Sequence, residues 1–299
     1  MLNYYEQVDT NKRKSSLIII GFVVFIALAS YLIAYSMGFS YNLVAIALII
    51  SGLMSFVSYY FSDQIILSLS RAREAKRTEF FDFYTVTENL TKVASLPMPK
   101  LYIIDDSAMN AFATGRDPKH AVVVATTGIL SRLNRTELEG VIAHELSHVR
   151  NYDIRLMGIV TVLVGVVTLL ADILLRSRIR GSRDDNRDSG QFQMLLFALG
   201  LVMALLSPLI ANLIKLAISR RREFLADASG AELTHYPEGL ASALEKISQD
   251  TEPLEAANKA TAHLYISNPL KNHHDAVGWF ANLFNTHPPI QERIKALRN

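Results

Sequence analysis

The stretch His144-Glu145-Leu146-Ser147-His148 decides how the chain is read. Residues four apart share one face of a helix, so the two imidazoles can turn toward a single ion. Glu145 stands beside them, where a carboxylate can take a proton from a metal-bound water. The surroundings favour a helix. Thr136-Glu137-Leu138-Glu139 has the S/T-x-x-E form of a capping box and starts a helix at about residue 137. Leu138, Val141, Ile142 and Leu146 supply its apolar positions. The bland alternative is a helix with two surface histidines; the sharper reading is metal-dependent hydrolysis of a peptide bond.

A hydrolytic zinc site takes three protein ligands and leaves a fourth position to water. The chain has no cysteine, which excludes disulfides and thiolate ligands, so the third ligand is another His or a carboxylate. Glu223 and Asp227 lie four apart in Glu223-Phe224-Leu225-Ala226-Asp227. Glu223 is read as the third ligand and Asp227 as the acceptor of a hydrogen bond from a ligand imidazole. The alternative is that Glu223 pairs with Arg220 or Arg222 on a solvated surface.

The 299 residues are 50% hydrophobic and 19% charged, with a net charge of +2. That balance, without a basic block interleaved with aromatics, excludes a nucleic-acid partner. The apolar excess is concentrated in long runs. Leu17 to Met37 carries no charge and is long enough to cross a bilayer; Tyr41 to Phe61 is a second such run after the turn Gly38-Phe39-Ser40. A cleaved signal peptide competes for the first run, but the run is too long for its apolar region and a second follows at once. The two make a helical hairpin over residues 1–63. Lys12, Arg13 and Lys14 precede it and Arg71, Arg73, Lys76 and Arg77 follow, which puts both ends on the cytoplasmic side.

Residues 64–155 read as a first cytoplasmic catalytic part. A helix covers 79–95 and is broken at Leu96-Pro97-Met98-Pro99. Short strands follow at 101–104 and 121–125, enough for a small sheet. Residues 156–217 hold a second hydrophobic pair, 156–175 and 192–217, around an arginine-rich loop at 176–190. Three arrangements fit: both runs cross and the loop translocates despite its charge, the pair enters the membrane partly, or both helices pack on the soluble part. Each returns the chain to its starting side, where residues 218–299 form the second catalytic part. There 223–248 is helical with a break at Tyr236-Pro237, and a short helix runs from about Ile290 to the end. The expected fold is a mainly α membrane protein with two N-terminal transmembrane helices and a mostly helical, zincin-like catalytic domain with a small β-sheet. The second hydrophobic pair is inserted between the zinc-ligand helices.

Four motifs, in order, carry a resemblance over nearly the whole chain: Asn110-Ala111-Phe112-Ala113, His144-Glu145-Leu146-Ser147-His148, Arg222-Glu223-Phe224-Leu225-Ala226-Asp227 and Thr286-His287-Pro288-Pro289. Together they resemble the HtpX family of bacterial membrane zinc metallopeptidases, relatives of the CAAX-prenyl endopeptidases. The resemblance implies a multi-pass inner-membrane endopeptidase with its site on the cytoplasmic side, degrading damaged or misassembled membrane proteins under stress. It implies one zinc ion per chain on His144, His148 and Glu223, with Glu145 as acid/base. The implied partners are polypeptide substrates and the lipid bilayer, and self-association into a homo-oligomer is compatible with it.

Two further assignments complete the cleft. Asn110 holds substrate backbone, unless it is a turn residue, and an edge strand at 121–125 pairs with an extended peptide. His287 stabilises the tetrahedral oxyanion with Arg293 in support, unless it merely packs a Pro-Pro turn. His120, His235, His263, His273 and His274 are read as surface residues. Two rival functions stand: a prenyl-protein (CAAX-type) processing endopeptidase, and a non-catalytic zinc-binding membrane scaffold. The intact Glu145 speaks against the scaffold, since binding needs only the ligands.

Overall fold

The computed structural model describes residues 4–37, 42–165, 220–257, 261–267, 269 and 288–299. Two long helices come first, α1 (Tyr4–Met37) and α2 (Asn42–Leu69), packed on one another. Within α2, Ala45–Leu69 is long and apolar enough to cross a membrane, and only 22% of its most apolar window is buried by the protein, unlike a soluble core helix. Leu17, Ile20, Val24 and Leu28 on α1 are exposed, as are Ile46, Ile49, Ile50 and Leu53 on α2. Such a surface suits hydrocarbon rather than water. The helix runs on through Asp63 to Leu69, so the hairpin has no linker to the next part. Ile66 and Leu67 are buried against Phe112, Val122 and Val124.

The sheet holds β1 (Arg73–Glu74), β2 (Lys100–Ile104), β3 (Ala111–Thr114) and β4 (Val122–Thr126) in the order β1-β2-β4-β3. Only β2 and β4 run parallel. The Val-rich strand is therefore central, and the edge strand expected at 121–125 is instead β3. The physical reason is burial on both faces. Val123 and Ala125 point into the core beneath the histidine helix, while Val122 and Val124 face Ile66 and Tyr265. Helix α3 (Phe81–Ala94) ends at Ser95, whose φ of 54° is left-handed, just before the Pro-rich break.

After a short α4 (Thr127–Arg132), α5 (Arg135–Arg150) carries the histidine motif. Its cap lies two residues ahead of the expected box. The Asn134 side chain accepts from the Glu137 N–H at 2.9 Å, and Glu137 accepts from the Asn134 N–H at 2.8 Å. Helix α6 continues the chain over 153–165. Then come α7 (Arg220–Thr234), α8 (Pro237–Gln249) and α9 (Ile290–Arg298). Of the second hydrophobic pair expected at 156–217, residues 156–165 lie in α6 and the rest falls outside the described residues.

Helix α5 is buried almost all round, between the sheet, α3, α7 and α8. Two glycines set its distance from its partners. A Cβ on Gly140 would meet the Leu240 backbone nitrogen at 2.5 Å, and one on Gly230 would meet the His144 nitrogen at 3.0 Å. Gly140→Ala is accordingly predicted to lower stability. The gain in helix propensity, about 1 kcal/mol, is outweighed by overpacking of roughly 1–3 kcal/mol. A denaturation midpoint in detergent that rises on substitution would show that the two backbones are not in tight contact.

Candidate active site

Two helices converge on one buried point. From α5, His144 and His148 face each other with their Nε2 atoms 3.2 Å apart. From α7, Glu223 brings Oε1 to 3.6 Å from His148 Nε2 and Oε2 to 3.8 Å from His144 Nε2. All three side chains are buried, and their ligand atoms lie within 4.8 Å of one another. The i, i+4 spacing on a continuous helix produces the histidine pair. The Gly230 contact brings α7 near enough for Glu223 to complete the cluster.

The other ring nitrogens are held by carboxylates. His144 Nδ1 lies 2.9 Å from Asp227 Oδ1, and His148 Nδ1 lies 3.0 Å from Asp153 Oδ2. Donation from both Nδ1 atoms leaves both Nε2 lone pairs aimed at the same place. Arg293 fixes Asp227 by a two-pronged contact, Nε to Oδ2 at 2.8 Å and Nη2 to Oδ1 at 2.6 Å. The guanidinium is fully buried, and Nη1 also donates to the Ile266 carbonyl at 3.2 Å. Asp153 is held through Oδ1 by Arg222 Nε at 3.0 Å and by Asn11 Nδ2 at 2.8 Å. Arg293 thus grips Asp227; His287 lies outside the described residues.

Charge supports a cation at this point. Glu145, Asp153, Asp227 and Glu223 are buried carboxylates, while Arg222 and Arg293 are the guanidiniums that meet them. With neutral imidazoles the group carries a formal charge of minus two, which one divalent ion cancels. Two nitrogens and a carboxylate form a zinc-type donor set. Bonds of about 2.0–2.1 Å at tetrahedral angles put ligand nitrogens roughly 3.3 Å apart, close to the spacing of the two Nε2 atoms.

Protons balance part of that charge in the metal-free protein. Burial pushes the Glu145 carboxyl above its usual range, and the nearby Glu223 adds to the rise against the opposing pull of the two histidines and the Ala113 N–H. For His148 burial works downward, but the Asp153 hydrogen bond and the field of Glu223 prevail and lift it to about 9. Asp227 is held below its usual range: burial opposes this, and the bonds from His144 and Arg293 overcome it.

Asn110 is buried and bonded to the chain itself. Its Nδ2 donates to the Ser267 carbonyl at 3.0 Å and its Oδ1 accepts from the Ser267 N–H at 3.4 Å. Next to it the Ile266 N–H donates to the Ala111 carbonyl at 3.0 Å, on the outer edge of β3. Of the remaining histidines, His120 is exposed beside Asp117 and His235 is exposed. His263 corrects the surface reading: it is fully buried, with Nε2 3.0 Å from Thr161 Oγ1, because residues 262–265 turn inward over the sheet. His273 and His274 lie outside the described residues.

Asp153 and Arg222 are the site residues that motif spacing passed over. An acidic residue five positions past His148 was the available signal for Asp153; in the structure it follows a turn where Tyr152 takes a φ of 59°.

Known proteins match this arrangement. Residues 77–299 match the model of Peptidase family M48. The chain is 48% identical to a Protease HtpX homolog of Dictyoglomus thermophilum, covering 99% of this chain and 94% of that one. It is 43% identical to the Protease HtpX homolog of Ligilactobacillus salivarius, covering 99% of each. Among solved structures, the crystal structure of S. mikatae Ste24p is similar in fold, with a TM-score of 0.53 at 19% identity over 99% of this chain and 67% of that chain. Taken with the buried His-His-Glu cluster, these matches mean that the chain belongs to peptidase family M48, among the HtpX proteases, and is a metallopeptidase.

Proposed function

We propose that the chain is a multi-pass zinc endopeptidase that cuts exposed segments of damaged or misassembled membrane proteins on the cytoplasmic side of the inner membrane. The observation that carries this reading is the opposed Nε2 pair, 3.2 Å apart beside Glu223. His144, His148 and Glu223 would hold one zinc ion per chain, and that ion would supply Lewis acidity to the hydrolysis. Glu145 takes the proton of the attacking water and passes it to the leaving amine. Its raised pKa suits a group that must keep that proton between the two steps. Asp227, gripped by Arg293, keeps His144 in the tautomer that presents Nε2. His287 is assigned to the oxyanion on the strength of the sequence resemblance.

Asn110 and the β3 edge are assigned to substrate backbone. The support is what they already do for Ile266 and Ser267, whose main-chain groups are held by the Ala111 carbonyl and the Asn110 side chain. A substrate enters by displacing these residues. The exposed apolar ladders of α1 and α2 support a bilayer setting, and basic residues at both ends of the hairpin support the cytoplasmic side. Membrane-protein turnover is preferred to prenyl-protein processing because the relatives with high identity are named HtpX proteases, while the Ste24p likeness rests on fold.

Purified in detergent without metal and then given zinc, the protein is expected to cleave casein, which a scaffold would not do, and to leave a prenylated CAAX peptide intact. Glu145→Gln should keep one zinc per chain and lose about 10²–10⁴-fold of activity. Parental activity in that variant would remove Glu145 from the chemistry. A second prediction follows from His148, which is protonated below about 9 in the metal-free protein and must shed that proton to bind zinc. Zinc affinity should therefore fall about tenfold for each pH unit below 9, and binding at pH 7 should release at least one proton. Calorimetry in buffers of different ionisation heat reads this directly, and identical heats would contradict it.

A further inference from the structure

We propose that Asn11, on the first membrane-hairpin helix, is a positioning residue for the metal site, acting on His148 through Asp153. The amide of Asn11 is buried at 4% exposure. Its Nδ2 donates to Asp153 Oδ1 and to the Asn151 carbonyl, both at 2.8 Å. Asp153 Oδ2 in turn takes His148 Nδ1 at 3.0 Å. One carboxylate thus joins three helices: α1 through Asn11, α5 through His148, and α7 through Arg222 at 3.0 Å. Asp153 can present Oδ2 to the imidazole only while its carboxylate plane is fixed, and two donors on Oδ1 fix it. The partner that orients a ligand imidazole is typically worth 10–100-fold in metal affinity or activity.

The residue type fits the task. Asn11 must donate to two oxygens, one charged and one neutral, without bringing a charge of its own. An aspartate there would set a second carboxylate against Asp153; an apolar residue would leave the Asn151 carbonyl short of a donor. The rest of α1 keeps the amide in place. The Lys12 ammonium lies 4.6 Å from the Tyr152 ring centre, and Ile18 and Phe22 pack on Leu156, Ile159 and Val160 of α6. Six residues beyond Asn11 the same helix enters its charge-free run. The hairpin is therefore part of the frame of the metal site as well as an anchor. The match to the peptidase family begins at residue 77, so this contribution comes from outside the matched region.

The proposal rests on His148 being a metal ligand. Zinc affinity of the full-length chain in detergent, read by chelator competition, tests it together with kcat and KM on an unstructured peptide. Asn11→Ala is expected to weaken zinc binding 10–100-fold and to lower kcat at unchanged KM. Asn11→Asp should weaken it further. The exposed Ser16→Ala, one turn on, should stay within twofold of the parent. In an Asp153→Asn background Asn11→Ala should add little, since its route to His148 is already cut. Should Asn11→Ala fail to fold, Asn11→Ser, which keeps a donor and little bulk, is measured in the same way and should show a smaller loss. Parental zinc affinity in whichever of these variants folds overturns the proposal. So does an equal loss with and without Asp153→Asn, which would mark Asn11 as ordinary packing. A parental chain that binds no zinc would instead overturn the ligand assignment itself.

Discussion

Two imidazole nitrogens turned toward each other at 3.2 Å form an arrangement that is unfavourable in isolation. Lone pair meets lone pair unless a proton or a metal lies between. The rest of the site can be understood as what holds this pair in place. Asp227 and Asp153 take the outer Nδ1 atoms, and Arg293 and Arg222 hold those carboxylates. Each acid at this depth would cost several kcal/mol unpaired. The network is tolerable because its charges are matched in pairs and the remaining excess of negative charge matches one divalent ion. Metal binding and folding of this core are then thermodynamically linked, since the ion removes a repulsion the fold has accumulated.

The packing explains how such a network stays rigid. Helix α5 is closed in by the sheet and by α3, α7 and α8, and at Gly140 and Gly230 the helices approach almost backbone to backbone. Close approach leaves little slack for Glu223 and Asp227 to move relative to the histidines. The edge strand β3 adds one more constraint. The Ala113 N–H bonds the Glu145 carboxylate, so the residue proposed as acid/base is tied to the strand proposed to receive substrate. A shift of that strand would reach the reacting proton without any intervening element.

What could be read from the sequence was what repeats locally. His144 and His148, and Glu223 and Asp227, are both i, i+4 pairs, and a single helix period makes each visible. Helices α3, α7, α8 and α9 were likewise marked by local composition and Pro breaks. Apart from the position of one helix cap, the misses are tertiary. Strand β3 is Ala111-Phe112-Ala113-Thr114, poor in β-branched residues, and it is a strand because β4 pairs with it. The run Val122-Val123-Val124 has no polar alternation; that is the mark of a strand covered on both faces, and so not of an edge. Asn134 displaced Thr136 as cap because its side chain, not the threonine's, reaches the Glu137 N–H. Asn11 and Asp153 are 142 positions apart, and no local period can join them.

On the proposed assignment of Asn110 and the β3 edge to substrate, the segment 265–267 would be a built-in competitor. Ile266 and Ser267 occupy the Ala111 carbonyl, the Asn110 amide and one arm of Arg293 through four backbone bonds. Each such bond contributes roughly 1 kcal/mol net. An extended peptide taking over the same edge would replace these bonds one for one, while the burial of Tyr265 and Ile266 in the core favours the chain's own segment. A folded segment, whose backbone is already paired, can offer no such exchange and meets the full cost of opening. On that proposed assignment, selection at this edge would act on whether a chain is extended and unpaired.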